Sequence, residues 1–147
     1  MELNERVISW GMPEFFADKG IKYRINKPGD FCLVDKKDSK LFEMDFTSFE
    51  NPYRAFPQPK DTLALNWIQV IKPEDRKKGV ASYYLKKLVE YCIELSITTV
   101  ELSAIDMDKT TGKSDAIEGS HLDKSELIDF YKRHIERDGG LVLNLLP

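Results

Sequence analysis

A basic, glycine-containing stretch between two apolar runs carries the residues best suited to bind phosphate. It reads Arg76-Lys77-Lys78-Gly79-Val80-Ala81, after a strand-like run at Leu63–Ile71 and before a helix-like run at Ser82–Leu95. The first backbone N–H groups of a helix have no acceptor inside the helix, so they present partial positive charge to an anion. Gly79 lets the backbone approach that anion closely, and the basic side chains add full charge. The stretch therefore predicts a phosphate-binding turn at the start of a helix.

Two common phosphate-binding motifs are absent from the sequence. It has neither the Gly-x-x-x-x-Gly-Lys-Ser/Thr run of a P-loop nor the Gly-x-Gly-x-x-Gly fingerprint of a dinucleotide site. What remains is Arg-x-x-Gly-x-Ala, formed by Arg76, Gly79 and Ala81 after Pro73-Glu74. This pattern resembles the acetyl-CoA signature of the GNAT superfamily of N-acetyltransferases, Arg/Gln-x-x-Gly-x-Gly/Ala, which Pro-Glu often precedes. The resemblance is strongest over residues 63–146.

The resemblance implies how acetyl-CoA would be held. The pyrophosphate would bind the backbone N–H groups from Lys77 to Ser82, and the pantetheine arm would pair like an added strand beside Trp67–Ile71. A backbone N–H in that splayed strand would stabilise the charge that develops on the thioester carbonyl oxygen. The implied cosubstrate-binding residues are Gln69, Val70, Ile71, Arg76, Lys77, Lys78, Gly79, Val80, Ala81 and Ser82.

A tyrosine later in the chain matches the family's general acid. Phe130-Tyr131 lies on a predicted helix that follows the strand-like run Thr98–Ile105, which is the order that the family requires. The resemblance implies that Tyr131 protonates the departing CoA thiolate, and an unperturbed tyrosine pKa of about 10 suits that leaving group. The alternative is a core tyrosine whose hydroxyl is satisfied by hydrogen bonding.

Several carboxylates are candidates for the general base. Glu101 and Asp106 lie near the strand end that would face the thioester, while Glu43 and Asp45 lie on a predicted neighbouring strand. Each of them is equally compatible with an ordinary surface carboxylate, and the amine proton can also leave through water. The chain departs from the family pattern at Lys77, where glycine is frequent, and at Asp106, where asparagine is usual. The connection of residues 106–124 is also longer than in the family.

Metal and disulfide chemistry is not indicated. Cys32 and Cys92 have no ligand or framework spacing, so they are predicted to be free thiols in a reducing compartment. His121 has no second ligand at metal spacing, and for His134 a structural or exposed role is expected. We therefore expect no metal site.

Composition limits the partners. The 147 residues carry a net charge of −3, so nothing global favours nucleic acid or an anionic membrane. No apolar run is long enough to cross a bilayer, and Met1–Arg6 lacks a signal-peptide core, so a cytoplasmic location is expected. The predicted last strand at Leu141–Leu146 is a possible homodimer contact.

Hydrophobic periodicity outlines a single domain over residues 1–147. Alternating segments and a turn at Pro28-Gly29-Asp30 predict early antiparallel strands, and strand, helix, strand, helix, strand follow from Leu63 onward. A strand–helix–strand crossover places two parallel strands side by side. We therefore predict an α/β (α+β) domain with a mixed central sheet of about six strands, flanking helices and, by the resemblance, a GNAT-like fold.

Three functional hypotheses follow. The resemblance favours an acetyl-CoA-dependent N-acetyltransferase that transfers the acetyl group to a primary amine by direct attack. The first alternative is a non-catalytic acyl-CoA-binding sensor or interaction module of the same fold. The second is a structural or partner-binding domain whose basic turn contacts no nucleotide.

Overall fold

The computed structural model describes residues 2–51, 58–103 and 124–146. In these ranges the chain forms an α+β domain with a six-stranded mixed sheet and three α-helices. The strands are β1 Lys22–Lys27, β2 Asp30–Val34, β3 Lys40–Thr47, β4 Thr62–Val70, β5 Thr99–Ser103 and β6 Val142–Leu146. The helices are α1 Leu3–Ser9, α2 Val80–Glu94 and α3 Lys124–Lys132, and α3 continues as a π-helical turn at Arg133–Arg137.

The sheet combines an antiparallel half with a parallel half. Its strand order is β1-β2-β3-β4-β5-β6, with antiparallel pairing from β1 to β4 and parallel pairing from β4 to β6. Helix α2 connects the parallel strands β4 and β5, as the sequence predicts for a strand–helix–strand crossover. The predicted mixed sheet of about six strands is therefore confirmed.

Helix α2 packs on the sheet through one apolar stripe. Leu85, Leu88, Val89 and Cys92 recur at helical spacing, and all four side chains are buried. The helix begins at Val80 rather than Ser82, because Gly79 occupies the N-cap position. None of the helices in the described ranges is long and apolar enough to cross a membrane.

The hydrophobic core lies on one face of the sheet, and all three helices contribute to it. Val7 of α1, Leu88 of α2 and Tyr131 of α3 belong to the same cluster of buried side chains. The sheet contributes Phe31, Leu33, Phe42, Met44, Phe46, Leu63, Leu65, Ile68, Val100 and Leu102. Side chains alternate between the faces of a strand, so the residues between these positions point to the opposite face.

We call this opposite side the polar face and define it by Glu43, Asp45, Trp67 and Glu101. Glu43 and Asp45 alternate with buried core residues of β3, and Glu101 lies between two core residues of β5. Trp67 is paired directly opposite Asp45. The continuous apolar run of β4 predicts a central strand covered on both faces. The strand is central, but only its core-facing side chains are fully buried, so it is not equally covered on both faces.

The N-terminal segment differs from the sequence-based expectation. Pro13 and Gly20 are typical start and stop residues and predict one short helix over Pro13–Gly20, but the structure forms only a 3₁₀ turn at Glu14–Phe16, because the chain becomes extended at Ala17. Phe16 anchors this turn in the core, being 2% exposed. The sequence of Val7–Trp10 is compatible with a short strand or a helix end, and the segment forms the end of α1 and the residue after it.

Candidate functional site

Among the described residues, the carboxyl-terminal half of β4 has an open edge on the side away from β3. Pairing between β4 and β5 covers only Thr62–Leu65, whereas pairing between β4 and β3 continues to Val70. In the described ranges no strand pairs with residues 66–70 on that side. Asn66 is an extra residue in the ladder with β3, and such bulges bend a strand away from regular pairing.

The register shows which backbone groups face this open edge. The Ile71 N–H donates to the Leu41 carbonyl of β3 at 3.0 Å. In an antiparallel ladder the hydrogen-bonding groups of alternate residues face the same neighbour, so the Gln69 N–H also points to β3. The N–H and C=O groups of Ile68 and Val70 therefore face the open edge.

The turn from β4 into α2 is built on left-handed backbone conformations. A 3₁₀ turn at Pro73–Asp75 is followed by Lys77 with φ of 61° and Gly79 with φ of 88°. Lys77 thus adopts the conformation that glycine favours, although such a φ costs a residue with a side chain about 1–2 kcal/mol. The lysine at this position changes the charge of the turn while the glycine-like backbone is kept.

The N-terminus of α2 presents unpaired donors next to this turn. Its first main-chain bond runs from the Tyr83 N–H to the Gly79 carbonyl, at 3.0 Å. The N–H groups of Val80, Ala81 and Ser82 therefore have no acceptor within the helix, and no side chain caps the N-terminus. With the exposed Lys77 and Lys78 beside them, these groups can bind an anion.

Arg76 points back towards β4. Its Nε donates to the Val70 carbonyl at 3.3 Å, and its Nη2 lies 3.5 Å from the Ile71 carbonyl. Burial lowers the pKa of this guanidinium from its ordinary value, but an arginine remains protonated at physiological pH. Part of the charge predicted for the anion site is therefore directed at the strand end.

Tyr131 is a core residue that keeps its proton. Its side chain is 2% exposed and belongs to the hydrophobic cluster. Burial raises the pKa of the Tyr131 hydroxyl well above its usual range, because the core disfavours the charged tyrosinate. The hydroxyl is thus protonated at any physiological pH, as both a general acid and a core tyrosine would be.

The candidate bases that the structure describes lie on the polar face. Trp67 donates its indole N–H to Glu43 at 2.7 Å, and Lys40 lies 3.6 Å from the same carboxylate. Gln58 donates to Glu101 at 3.4 Å. Asp106 and the connection at 106–123 lie outside the described residues.

Tyr131 and Glu101 consequently lie on opposite faces of the sheet. Tyr131 belongs to the helical core, whereas Glu101 points away from that core. Among the described residues, the pairing of β4 with β5 ends at Leu65.

The structure refines which predicted residues can act together. Arg76 links Val70 of β4 to the turn before α2, whereas the Gln69 and Ile71 N–H groups face β3. The implied cosubstrate-binding residues omit Ile68, whose backbone faces the open edge, although Ile68 lies within the run Trp67–Ile71 assigned to the arm. Sequence reasoning also missed the hydrogen bond from the Trp67 indole to Glu43. The apolar run alone contained no signal for either, because both depend on the register with β3.

The remaining candidate ligands do not form a metal site in the part of the chain that the structure describes. No three His, Cys, Asp or Glu side chains come together there in a metal-binding arrangement. Cys32 and Cys92 are buried free thiols. His134 lies in the π-helical turn with its ring against Phe130, and burial lowers its pKa. His121 lies outside the described residues.

Comparisons with protein-family models, with curated proteins and with solved structures find no match to this chain.

Proposed function

We propose that this protein is an acetyl-CoA-dependent N-acetyltransferase of the GNAT type that acetylates a primary amine. The observation that carries the proposal is the continuity of two backbone sites. The open edge of β4 offers hydrogen-bonding groups to an extended arm. The N-cap residue of α2, Gly79, lies only nine residues after Val70. Pantetheine followed by pyrophosphate has this combination of an extended arm and an anion.

The unpaired N–H groups fit this cosubstrate. Those of Val80, Ala81 and Ser82 would hold the pyrophosphate, with added charge from Lys77 and Lys78. The N–H groups of Ile68 and Val70 would serve two purposes, pairing with the arm and donating to the carbonyl oxygen as negative charge develops there. These donors belong to a strand fixed by β3, so they need little reorganisation during the reaction.

The acceptor would approach from the polar face. Glu101 on that face, or Asp106 outside the described residues, would accept the amine proton directly or through water as the nitrogen attacks the thioester carbon. The new N–C bond forms, the C–S bond breaks, and Tyr131 would donate its proton to the sulfur from the core side. A base and an acid on opposite faces suit this sequence, because the amine approaches the carbonyl carbon from one side and the sulfur leaves it towards another.

The acid role of Tyr131 is tested by Tyr131→Phe. We expect turnover with the best amine of a panel, followed as free thiol release, to fall about 10²-fold or more, with CoA affinity nearly unchanged. Tyr91→Phe is the matched control, since Tyr91 is equally buried at 2% exposure but its hydroxyl contacts Ser48 and Glu50. The control should lose stability and retain turnover; equal turnover in Tyr131→Phe and wild type would contradict the assignment.

A second candidate function is a non-catalytic acyl-CoA-binding module. The observation that favours it is the burial of Tyr131, which is 2% exposed and packs in the core as a structural tyrosine would. Calorimetric binding of CoA without thiol release for any amine of the panel would support this module over the enzyme. Absence of CoA binding would reject both and favour a partner-binding domain.

A further inference from the structure

Arg76 occupies the last hydrogen-bond acceptor on the open edge of β4. The Val70 carbonyl and the Ile71 N–H belong to one planar trans peptide, so they point in opposite directions. The Ile71 N–H donates to Leu41 of β3, and the Val70 carbonyl therefore faces the open edge. Arg76 Nε donates to that carbonyl at 3.3 Å, and Nη2 is 3.5 Å from the next carbonyl.

We propose that Arg76 is a positioning residue that ties the phosphate-binding turn to the end of β4, and that it does not supply the charge that binds phosphate. The inference rests on the proposed function. It assigns the charge contribution to Lys77 and Lys78, whose side chains are exposed. It also defines the end of the pairing edge, because an extended arm can use Ile68 and the Val70 N–H but not the Val70 carbonyl.

The turn is held locally by backbone hydrogen bonds from the Asp75 and Arg76 N–H groups to the Lys72 and Pro73 carbonyls, and the Arg76 side chain adds a link to β4. Neither the 3₁₀ turn at Pro73–Asp75 nor the N-terminus of α2 has a side-chain cap. Two of its residues, Lys77 and Gly79, have left-handed φ angles. The contact from Arg76 to Val70 crosses this turn, so it keeps the N–H groups of α2 in a constant position relative to the open edge.

Three variants and two ligands separate positioning from phosphate binding. Arg76→Gln keeps an N–H donor and removes the charge, Arg76→Met removes both, and Lys78→Met removes an exposed charge from the same turn. Each variant is titrated with CoA and with pantetheine, which has the arm but no phosphate. Calorimetry serves for CoA, and amide chemical shifts serve for the weaker pantetheine.

Positioning predicts that Arg76→Met weakens CoA about fivefold to tenfold, since a hydrogen bond contributes about that much, and leaves pantetheine nearly unchanged because pantetheine has no phosphate for the turn to bind. Arg76→Gln should restore most of the CoA affinity, and CoA binding by both Arg76 variants should keep the salt dependence of wild type. Lys78→Met should weaken CoA and make its binding less sensitive to salt. The proposal is overturned if Arg76→Gln binds CoA as weakly as Arg76→Met and CoA binding by both variants becomes less sensitive to salt.

The structural part of the proposal can be judged separately from CoA binding. If wild-type protein binds neither ligand, the proposed function fails. Amide exchange at residues 77–82 still decides the role of Arg76: it should be faster in Arg76→Met than in wild type and return towards wild type in Arg76→Gln. Unchanged exchange in Arg76→Met would reject the positioning role whatever the ligand.

Discussion

Gly79 is required for its left-handed backbone conformation and not for a lack of space around it. Its φ of 88° lies in the left-handed region, yet a Cβ added there meets no atom within 4 Å among the described residues. A substitution at this position therefore strains the backbone without creating a clash with the packed core. Gly140 has the same properties, with φ of 70° and no atom within 4 Å of an added Cβ, but it lies in the turn before β6.

This pair of glycines allows strain and binding to be separated. We expect Gly79→Ala and Gly140→Ala each to lower the free energy of unfolding by about 1 kcal/mol, measured by urea denaturation. Of these two variants, only Gly79→Ala should lower the CoA affinity measured by calorimetry, because it alone alters the anion site. Gly79→Asp should weaken CoA further, since its carboxylate repels the pyrophosphate. Equal CoA affinity in Gly79→Asp and Gly140→Ala would argue against an anion site at this turn.

At the scale of elements, the decisive feature is the unequal length of the two ladders of β4. The strand pairs with β3 up to Val70 but with β5 only up to Leu65. Beyond Leu65, the backbone groups of consecutive residues thus point alternately to β3 and to the open edge, although the residues belong to one strand. The N–H groups of Gln69 and Ile71 face β3, whereas those of Ile68 and Val70 face the open edge.

Amide hydrogen exchange should show this alternation. We expect the N–H groups of Ile68 and Val70 to exchange faster than those of Gln69 and Ile71, because the latter two donate to β3. Added CoA should slow Ile68 and Val70 and leave the other two nearly unchanged. Residue-resolved NMR exchange provides the measurement, and CoA-induced protection confined to other parts of the chain would contradict strand pairing by the arm.

At the scale of the whole molecule, tyrosine hydroxyls join the helices and the sheet. Those of Tyr23 and Tyr84 both donate to the Gly11 carbonyl, and the Tyr83 hydroxyl donates to the Trp10 carbonyl. At the other end of α2, the Tyr91 hydroxyl donates to Glu50 at 2.6 Å. These contacts connect the segment after α1 and the end of β3 to α2, so the core depends on tyrosines that remain neutral.

Stability should therefore fall in alkaline solution. Burial raises the pKa of Tyr23 to about 12 and raises those of Tyr84, Tyr91 and Tyr131 as well. The unfolded chain loses these protons above about pH 10 while the folded chain retains them, so rising pH favours unfolding. Below about pH 9, these tyrosines should make a nearly constant contribution to the free energy of unfolding measured by urea denaturation. Above about pH 10 that free energy should fall steeply.

Removing one of these groups provides the control. Tyr84→Phe should be less stable than wild type near neutral pH, by about 1 kcal/mol for its lost hydrogen bonds. The free energy of unfolding of Tyr84→Phe should nevertheless fall less steeply in alkaline solution, because this variant lacks one of the buried hydroxyls whose ionisation favours unfolding. An identical alkaline slope in both proteins would show that Tyr84 ionises equally well in the folded and unfolded chains.

Local patterns in the sequence determined the strands, helix α2 and the place of the candidate anion site, but not the elements of the N-terminal segment. Alternation and helical spacing predict the strands and α2, because burial on one face imposes those periods on the chain. The turn is predicted by Gly79 and its basic neighbours, since helix-end chemistry depends on adjacent residues. The acetyltransferase activity, Tyr131 as the acid and Glu101 as the base remain predictions.

Only the tertiary structure decided which groups of β4 face the open edge, where Arg76 points, and that Tyr131 and Glu101 lie on opposite faces. Each of these depends on partners far away in the chain: the register of β4 with β3, the end of its pairing with β5, and the single core shared by the helices. A shift of one residue in a strand's register would reverse the direction of every backbone group while leaving its local sequence unchanged. The residue types therefore specify which chemical groups are available, and long-range strand pairing specifies which way those groups point.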